Sequence, residues 1–366
     1  MSVLYPVCIG FGVSLLIGIL VVLTQSWHGR FSLDSVTGIQ KLHVHPTPRI
    51  GGVPIALGLL VSVMALPPEL RDKLWPWLLS SFPAFVFGLT EDFTKRVSIQ
   101  ARLLATMASG VLAWLLTGYM ITEVNVWGMD RLLQFTIFSV FFTAFAVAGV
   151  ANSINIIDGL NGLASSMVMW GLLGIAMLAA SLGDTFLASA CLIILACVLG
   201  FFLVNWPLGK LFLGDGGSYL LGFLLAWACV LLVERNHSVS AFAALLFCAH
   251  PLIEVFYSIY RRKIRNQHPG HPDRLHFHSL FVRRVVQRVL PKSGLNFRNS
   301  VGGLLIGGLS LLPVILAQWV YNSTLYSLCC FIGFGVFYVI IYKQMLIKNR
   351  SISHQEVLNK TEASAI

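Results

Sequence analysis

The sequence predicts an all-α polytopic membrane protein with about eleven transmembrane helices and its polar residues gathered on one membrane face. Three observations carry that prediction. Of 366 residues, 57% are hydrophobic and 11% charged, against roughly 25% charged in a soluble domain. The apolar residues fall in runs of roughly 17–25, long enough to cross the hydrocarbon core as helices and too continuous for barrel strands. The polar residues collect in every second connection: Lys41 to Gly52, Glu91 to Arg102, Asn152 to Gly162, Lys210 to Ser218 and Arg261 to Arg298.

The runs centre near residues 13, 59, 82, 111, 141, 172, 194, 225, 250, 310 and 334. The second and third are short and are interrupted by Pro67, Pro68, Pro76 and Pro83, which cannot continue a helical hydrogen-bond ladder. The first lacks a small-residue cleavage site and reads as a retained anchor. Together they make one domain, residues 1–350, with polar loops at 25–50, 91–101, 150–162, 206–217 and 261–299, then a polar tail at 351–366. No internal repeat is visible.

All but four of the 25 Lys and Arg (Arg71, Lys73, Arg131 and Arg235) lie in the odd-numbered connections and the tail. The positive-inside bias makes that face cytoplasmic, and with it any active site. The net charge of +10 is then a topology signal and an attraction to anionic membrane lipid. Spread over short juxtamembrane loops, it argues against nucleic acid as a partner. The seven cysteines all fall within apolar spans without metal-type spacing, and read as small hydrophobes.

Asp215, in Leu213-Gly-Asp-Gly-Gly-Ser218, precedes an apolar span and falls near its N-cap. It either caps that helix or places a carboxylate where free N–H groups attract phosphate, suited to holding Mg²⁺ between protein and phosphate. Asn152, Asn155 and Asp158 follow at spacings of three, on one helical face, with Asn161 after them. So many polar side chains at the mouth of a span are costly unless they pair or bind something. Glu91 and Asp92, followed by Lys95, Arg96 and Arg102, form a third acidic mouth. The last loop carries His268, His271, Asp273, Arg274, His276 and His278. It has no cysteine, and the i, i+2 spacing of His276 and His278 fits phosphate donors better than zinc, with Arg274 offering bidentate contacts. From Phe281 to Leu290 the alternation of Val282, Val285, Val286 and Val289 with Arg283, Arg284 and Arg288 predicts an interfacial amphipathic helix.

These segments, in this order, resemble the polyprenyl-phosphate N-acetylhexosamine-1-phosphate transferases. The matching residues are Lys41-Leu-His43 with Pro48-Arg49-Ile50-Gly51-Gly52; Glu91-Asp92; Asn152-x-x-Asn155-x-x-Asp158-Gly159-x-x-Gly162; Phe212-Leu-Gly214-Asp215-x-Gly217-Ser218; and Pro272-Asp273-Arg274-x-His276-x-His278. The resemblance spans about residues 41–280. It departs where the family usually has two aspartates (here Glu91-Asp92), two adjacent histidines (His278 is followed by Ser279) and an aspartate in the ninth span (Glu254).

The resemblance implies transfer of HexNAc-1-phosphate from a UDP-sugar such as UDP-GlcNAc to undecaprenyl phosphate in the bacterial inner membrane. UMP is released and Mg²⁺, or alternatively Mn²⁺, is required. The product would feed O-antigen or another surface polysaccharide. It pairs Asp215 with Asn155 as metal ligands. The catalytic carboxylates would be Asp92, Glu91, Asp158 and Asp215, and the substrate-binding residues Lys41, Arg102, Asn152, Asn161, Arg274, His276 and His278. Asp92 has two readings, a base that deprotonates the lipid phosphate or a positioning group; because a phosphate monoester with a second pKa near ~6 is mostly dianionic already, positioning or metal support is favoured for Asp92 and Glu91. Two alternatives stay open: a phospho-MurNAc-pentapeptide transferase, whose triple-histidine pattern this loop lacks, and a transporter, for which Glu254 within a span is the one supporting residue. Monomer and homodimer both remain open.

Overall fold

Every apolar run folds into helix, since backbone groups away from water must be satisfied within their own segment. The computed structural model describes residues 3–34, 46–266 and 275–363, with side chains up to residue 347. Lys41 and Arg274 fall outside the described residues, as do His268, His271 and Asp273.

The helices are α1 (Leu4–Leu23), α2 (Gln25–Ser32), α3 (Gly52–Met64), α4 (Pro68–Ser80), α5 (Phe82–Thr94), α6 (Ile99–Thr117), α7 (Met129–Leu133), α8 (Thr136–Ile157) and α9 (Leu163–Ser181). They continue with α10 (Thr185–Asn205), α11 (Gly214–Arg235), α12 (Ala241–Leu246), α13 (Ala249–Ile264), α14 (Phe277–Phe281), α15 (Gln287–Val289), α16 (Leu295–Leu309), α17 (Leu311–Val320) and α18 (Thr324–Ala363). Among the described residues, eight segments are long and apolar enough to cross a membrane: α1, α6, α8, α9, α10, α11, the α16–α17 pair and the first part of α18.

The other three expected runs are not single long helices. α3 has 13 residues, about 20 Å at 1.5 Å per residue, short of a hydrocarbon core of about 30 Å. The run near residue 82 is divided into α4 and α5 at Ser81, two residues before Pro83. The run near 250 is divided into α12 and α13, with Pro251 in the first turn of α13. Proline lacks the N–H that would carry the ladder across each break. At the other end of the chain, α18 stays helical to Ala363, through the polar residues expected as a tail.

The centre of the bundle is α11, buried along almost its whole length and packed by α3, α5, α8 and α9. The close approaches rest on glycine. A Cβ on Gly222 would lie 2.5 Å from Ala151 Cα, and one on Gly88 2.6 Å from the Asp215 carbonyl. Two short strands, β1 (Leu33–Asp34) and β2 (Thr47–Pro48), pair antiparallel and tie together the two ends of the first polar loop. At the opposite end of the bundle Arg235 forms a two-pronged pair with Asp184 (2.7 and 2.8 Å). An apolar cavity of about 290 Å³ lies towards that end, between α8, α11 and α12.

The amphipathic stretch after His278 differs from expectation. Val282 and Val286 are buried, with Val282 against Gly302 of α16. The stripe is therefore largely spent on protein rather than left for a membrane surface, and only Val289 stands out at 73% exposed.

Candidate active site

The first polar loop returns beside the segment leading into α11. Phe212 N–H donates to the Pro48 carbonyl (2.8 Å), Gly51 N–H to the Phe212 carbonyl (2.9 Å) and Gly52 N–H to the Leu213 carbonyl (3.1 Å). Gly214 has φ +75°, and a side chain there would collide with the Arg49 carbonyl, so the position needs glycine on both counts. This pairing carries Arg49 over the N-terminus of α11. Its Nε lies 3.0 Å from Asp92 Oδ1 and its Nη2 2.9 Å from Asp215 Oδ1.

Asp92, 1% exposed, does more than pair with Arg49. Its Oδ1 accepts the N–H of Asp215 and its Oδ2 the N–H of Gly216, both at 2.9 Å. A helix start leaves such N–H groups without partners, and a carboxylate from α5 supplies them across the bundle. Asp215 therefore does not cap α11 itself; its carboxylate is free to point outwards, between Arg49 and Arg102 Nη1.

A cavity of about 290 Å³ opens at this point, lined among others by Asp34, Arg49, Asn155, Asp158, Asn161 and Asp215. Asp158 sits just past the end of α8, and its carboxylate has no hydrogen bond or ion pair among the described residues. Burial and the neighbouring Asp215 push it up to about 7. Asn155 receives the Tyr219 hydroxyl (3.2 Å) and donates to Ser218 Oγ (2.8 Å), so both its ends are held by α11.

The other expected residues have different neighbours. Glu91 Oε2 accepts Val97 N–H (2.8 Å) and closes the α5–α6 turn. Asn152 donates to Thr106 Oγ1 (3.2 Å) and the Ala148 carbonyl (2.8 Å), joining α8 to α6. Neither lines the cavity. Asn161 touches the cavity but is bound to α16: its N–H donates to Asn299 Oδ1 (2.7 Å) and its amide to Ser300 Oγ (3.0 Å). His276 and His278 stack at 5.5 Å. His278 abuts Gly159, where a Cβ would strike the imidazole, and burial lowers that imidazole to about 4. The histidine pair thus stands behind the 158–159 turn rather than in the cavity wall.

This arrangement can neutralise and orient anions. Arg49, Arg102, the carboxylates of Asp158 and Asp215 and the Asn155 amide meet at a helix N-terminus, the setting that suits phosphate together with a cation. The sequence signature of glycosyl transferase family 4 matches residues 74–233. The undecaprenyl-phosphate alpha-N-acetylglucosaminyl 1-phosphate transferase of Thermotoga maritima is 32% identical over 246 residues, 67% of this chain and 72% of that protein. The chain belongs to glycosyl transferase family 4. A probable undecaprenyl-phosphate N-acetylglucosaminyl 1-phosphate transferase of Bacillus subtilis is 27% identical over 65% of this chain and 66% of its own length. The Escherichia coli protein named undecaprenyl-phosphate alpha-N-acetylglucosaminyl 1-phosphate transferase is 36% identical over a shorter stretch, 28% of this chain and 29% of its own.

In this family member, sequence reasoning named Asp92, Asp158, Asp215, Asn155 and Arg102, and these converge on one place. It passed over Arg49 as a site residue, although Arg49 lay within a quoted motif, and over Asp34 and Tyr219 altogether. Glu254, which had favoured a transporter, is occupied by the histidine segment: His276 Nδ1 lies 2.8 Å away and the Tyr338 hydroxyl donates to its other oxygen.

Proposed function

We propose that this enzyme of glycosyl transferase family 4 transfers N-acetylhexosamine-1-phosphate from a UDP-sugar to undecaprenyl phosphate. The single observation carrying the reading is the outward carboxylate of Asp215 at the N-terminus of α11, in one cavity with Asp158, Asn155 and Arg49. The names of the relatives supply the acceptor and point to N-acetylglucosamine as the sugar. An oxygen of the lipid phosphate attacks the β-phosphorus of the UDP-sugar; the bond from that phosphorus to the bridging oxygen breaks, and UMP leaves with the electron pair. Both reactants are anions, so their approach requires fixed positive charge.

Arg49 and Arg102 supply part of it. Their guanidinium groups already bracket Asp215, and Arg102 Nε is buried without a partner among the described residues. Lys41 and Arg274 would add to it from the first and last loops. Among the described residues no three His, Cys, Asp or Glu side chains group closely enough to hold a metal ion by themselves. Asp215, Asp158 and the Asn155 amide, together in the cavity lining, suit Mg²⁺, which is usually held by one or two carboxylates while water and substrate phosphate complete its shell. Asp215, Asp158 and Asn155 would hold the ion, with Mn²⁺ as a substitute. When bound it neutralises phosphate charge and orients the diphosphate. Asp92, with both oxygens engaged by α11, holds Asp215 in place and is not the base.

An undecaprenyl phosphate acceptor and a nucleotide-sugar donor would put the enzyme in the bacterial inner membrane with this cavity facing the cytosol, where nucleotide sugars are available. The test is UMP release from UDP-GlcNAc, UDP-GalNAc, UDP-QuiNAc, UDP-FucNAc and UDP-MurNAc-pentapeptide, with and without undecaprenyl phosphate and Mg²⁺. Release from a HexNAc donor only when lipid phosphate and the ion are both present is expected. Turnover of the pentapeptide donor alone, or of none, would overturn the reading.

A further inference from the structure

A buried polar chain outside the cavity runs from the last helix to the histidine segment. Glu254, on α13, is 1% exposed, and its carboxylate takes three different donors. His276 Nδ1 lies 2.8 Å from Oε1, Phe277 N–H is 3.3 Å from each oxygen, and the Tyr338 hydroxyl of α18 donates to Oε2. One residue earlier, the Leu275 carbonyl accepts from the Tyr342 hydroxyl (2.8 Å) and from Arg261 Nη1 (2.7 Å). Leu275, His276 and Phe277 are thus fixed one after another by side chains of α13 and α18. From His276 the contact passes by ring stacking to His278, and from His278 to Gly159, beside Asp158.

For stability alone, a buried carboxylate is a poor choice. Removing it from water costs several kcal/mol, and well-packed apolar residues of similar volume often serve as well. A carboxylate does what an apolar side chain cannot: it directs a proton to Nδ1 of the imidazole and fixes the plane of the ring. Tyr338 completes the arrangement. Its ring packs on Phe277 with centroids 4.9 Å apart, while its hydroxyl fills the carboxylate oxygen that faces away from His276.

We propose that Glu254 and Tyr338 are positioning residues for the transfer reaction. They hold His276, and through it His278, against the 158–159 turn, so that the C-terminal helix sets the placement of the histidine segment. This inference rests on the function proposed above.

Two variants of the full-length protein test it. Tyr338→Phe removes one hydroxyl and keeps the ring; Glu254→Gln keeps the shape and removes the charge. Tyr338→Phe should lower kcat for UMP release about tenfold, the scale of one charge-assisted hydrogen bond, with KM for UDP-GlcNAc within about twofold of wild type. In a His276→Ala background the same substitution should have no further effect, since the two act in series. An equal loss in both backgrounds would mean that Tyr338 serves packing alone, and would overturn the proposal. A second readout needs no turnover. Carbethoxylation of His276 by diethyl pyrocarbonate, followed by mass spectrometry, should be faster in both variants at unchanged melting temperature. Equal labelling rates would also overturn the proposal. If the wild-type protein released UMP from no donor, the functional reading would fall and the labelling rates alone would decide the positioning role.

Discussion

Replacing Asp92 by asparagine separates two roles that a buried acid beside a phosphoryl-transfer site invites. The carboxylate takes the N–H groups of Asp215 and Gly216 at 2.9 Å and the Arg49 Nε at 3.0 Å. Asparagine keeps one oxygen and places an NH₂ where the other stood, opposite a donor. If that is the Gly216 side, one hydrogen bond is lost outright and the other two weaken from charged to neutral. At about 1.5–3 kcal/mol for each charge-assisted bond, the total is about 3–5 kcal/mol, the scale of breaking one side of a buried ion pair. The loss falls on the start of α11, and so on Asp215. If one third of it reaches the transition state, kcat drops about tenfold, at 1.4 kcal/mol per factor of ten. The assay is UMP release in vesicles containing undecaprenyl phosphate, from about pH 6 to 9, for wild type and variant side by side. The lipid phosphate titrates near pH ~6 in both, so the informative quantity is the ratio of the two profiles. Burial raises the Asp92 carboxyl to about 7, so either role gives the wild type a limb below that pH, and the decision rests on the plateau above about pH 8. Positioning predicts a plateau loss of about tenfold; a loss of about 10²–10⁴-fold, the scale of a missing general base, would refute the cap as its main role.

Other expectations follow from the same geometry. Asp215→Asn should abolish transfer while the protein still folds and inserts, because its backbone N–H and its place on α11 are untouched; near-normal turnover at saturating Mg²⁺ would contradict this. Gly159→Ala would set a methyl against the His278 imidazole; overpacking of this kind costs about 1–3 kcal/mol, and a kcat reduced about tenfold is expected, whereas wild-type kinetics would show the contact to be idle. Asp158 titrates near 7 in the native state, against 3.8 ordinarily. A raised native pKa means that the folded protein holds the proton more tightly, so this contribution to stability is complete below about pH 4 and is lost as pH rises through about 7. Without substrate or divalent ion, the protein should therefore melt higher at about pH 6 than at pH 8, and Asp158→Asn should reduce that difference, the remainder coming from Asp92, which burial also raises to about 7; an undiminished difference in the variant would refute the assignment. Finally, a cysteine in place of the exposed Lys292 should react with an impermeant maleimide only in inverted vesicles, and labelling in intact cells would reverse the orientation.

The long helices were legible because hydrophobic length is a local property, and the break near residue 82 because its prolines announce it; the run near 250 read as one span, and its division before Pro251 did not show. The site was legible as far as its residues sit at the mouths of spans: Asp158, Asn155 and Asp215 share one cavity, as their positions suggested. What could not be read was partnership across distance. Arg49 meets Asp215 over 166 positions of chain, through a loop whose return is fixed by backbone pairing rather than by composition. Asn152 and Asn161 looked like ligands for the same reason that Asn155 did, yet they spend their amides on Thr106 and on α16. The valine stripe at 282–289 revealed an apolar face but not its occupant, since protein and lipid satisfy the same pattern.

The entry into α11 meets its neighbours main chain to main chain: a Cβ on Gly52 would lie 2.5 Å from Gly217 N, and one on Gly88 2.6 Å from the Asp215 carbonyl. Surfaces of this kind have no rotamers to exchange, so they work as a bearing without play. Further along, α11 borders the open apolar cavity with Ala226, Cys229, Val230 and Val233, where side chains have clearance. The central rod is thus keyed at one end and free to yield at the other. A substitution at the cavity end can be absorbed by side chains shifting into open space, whereas one at the entry must move main chain, and with it the reacting groups.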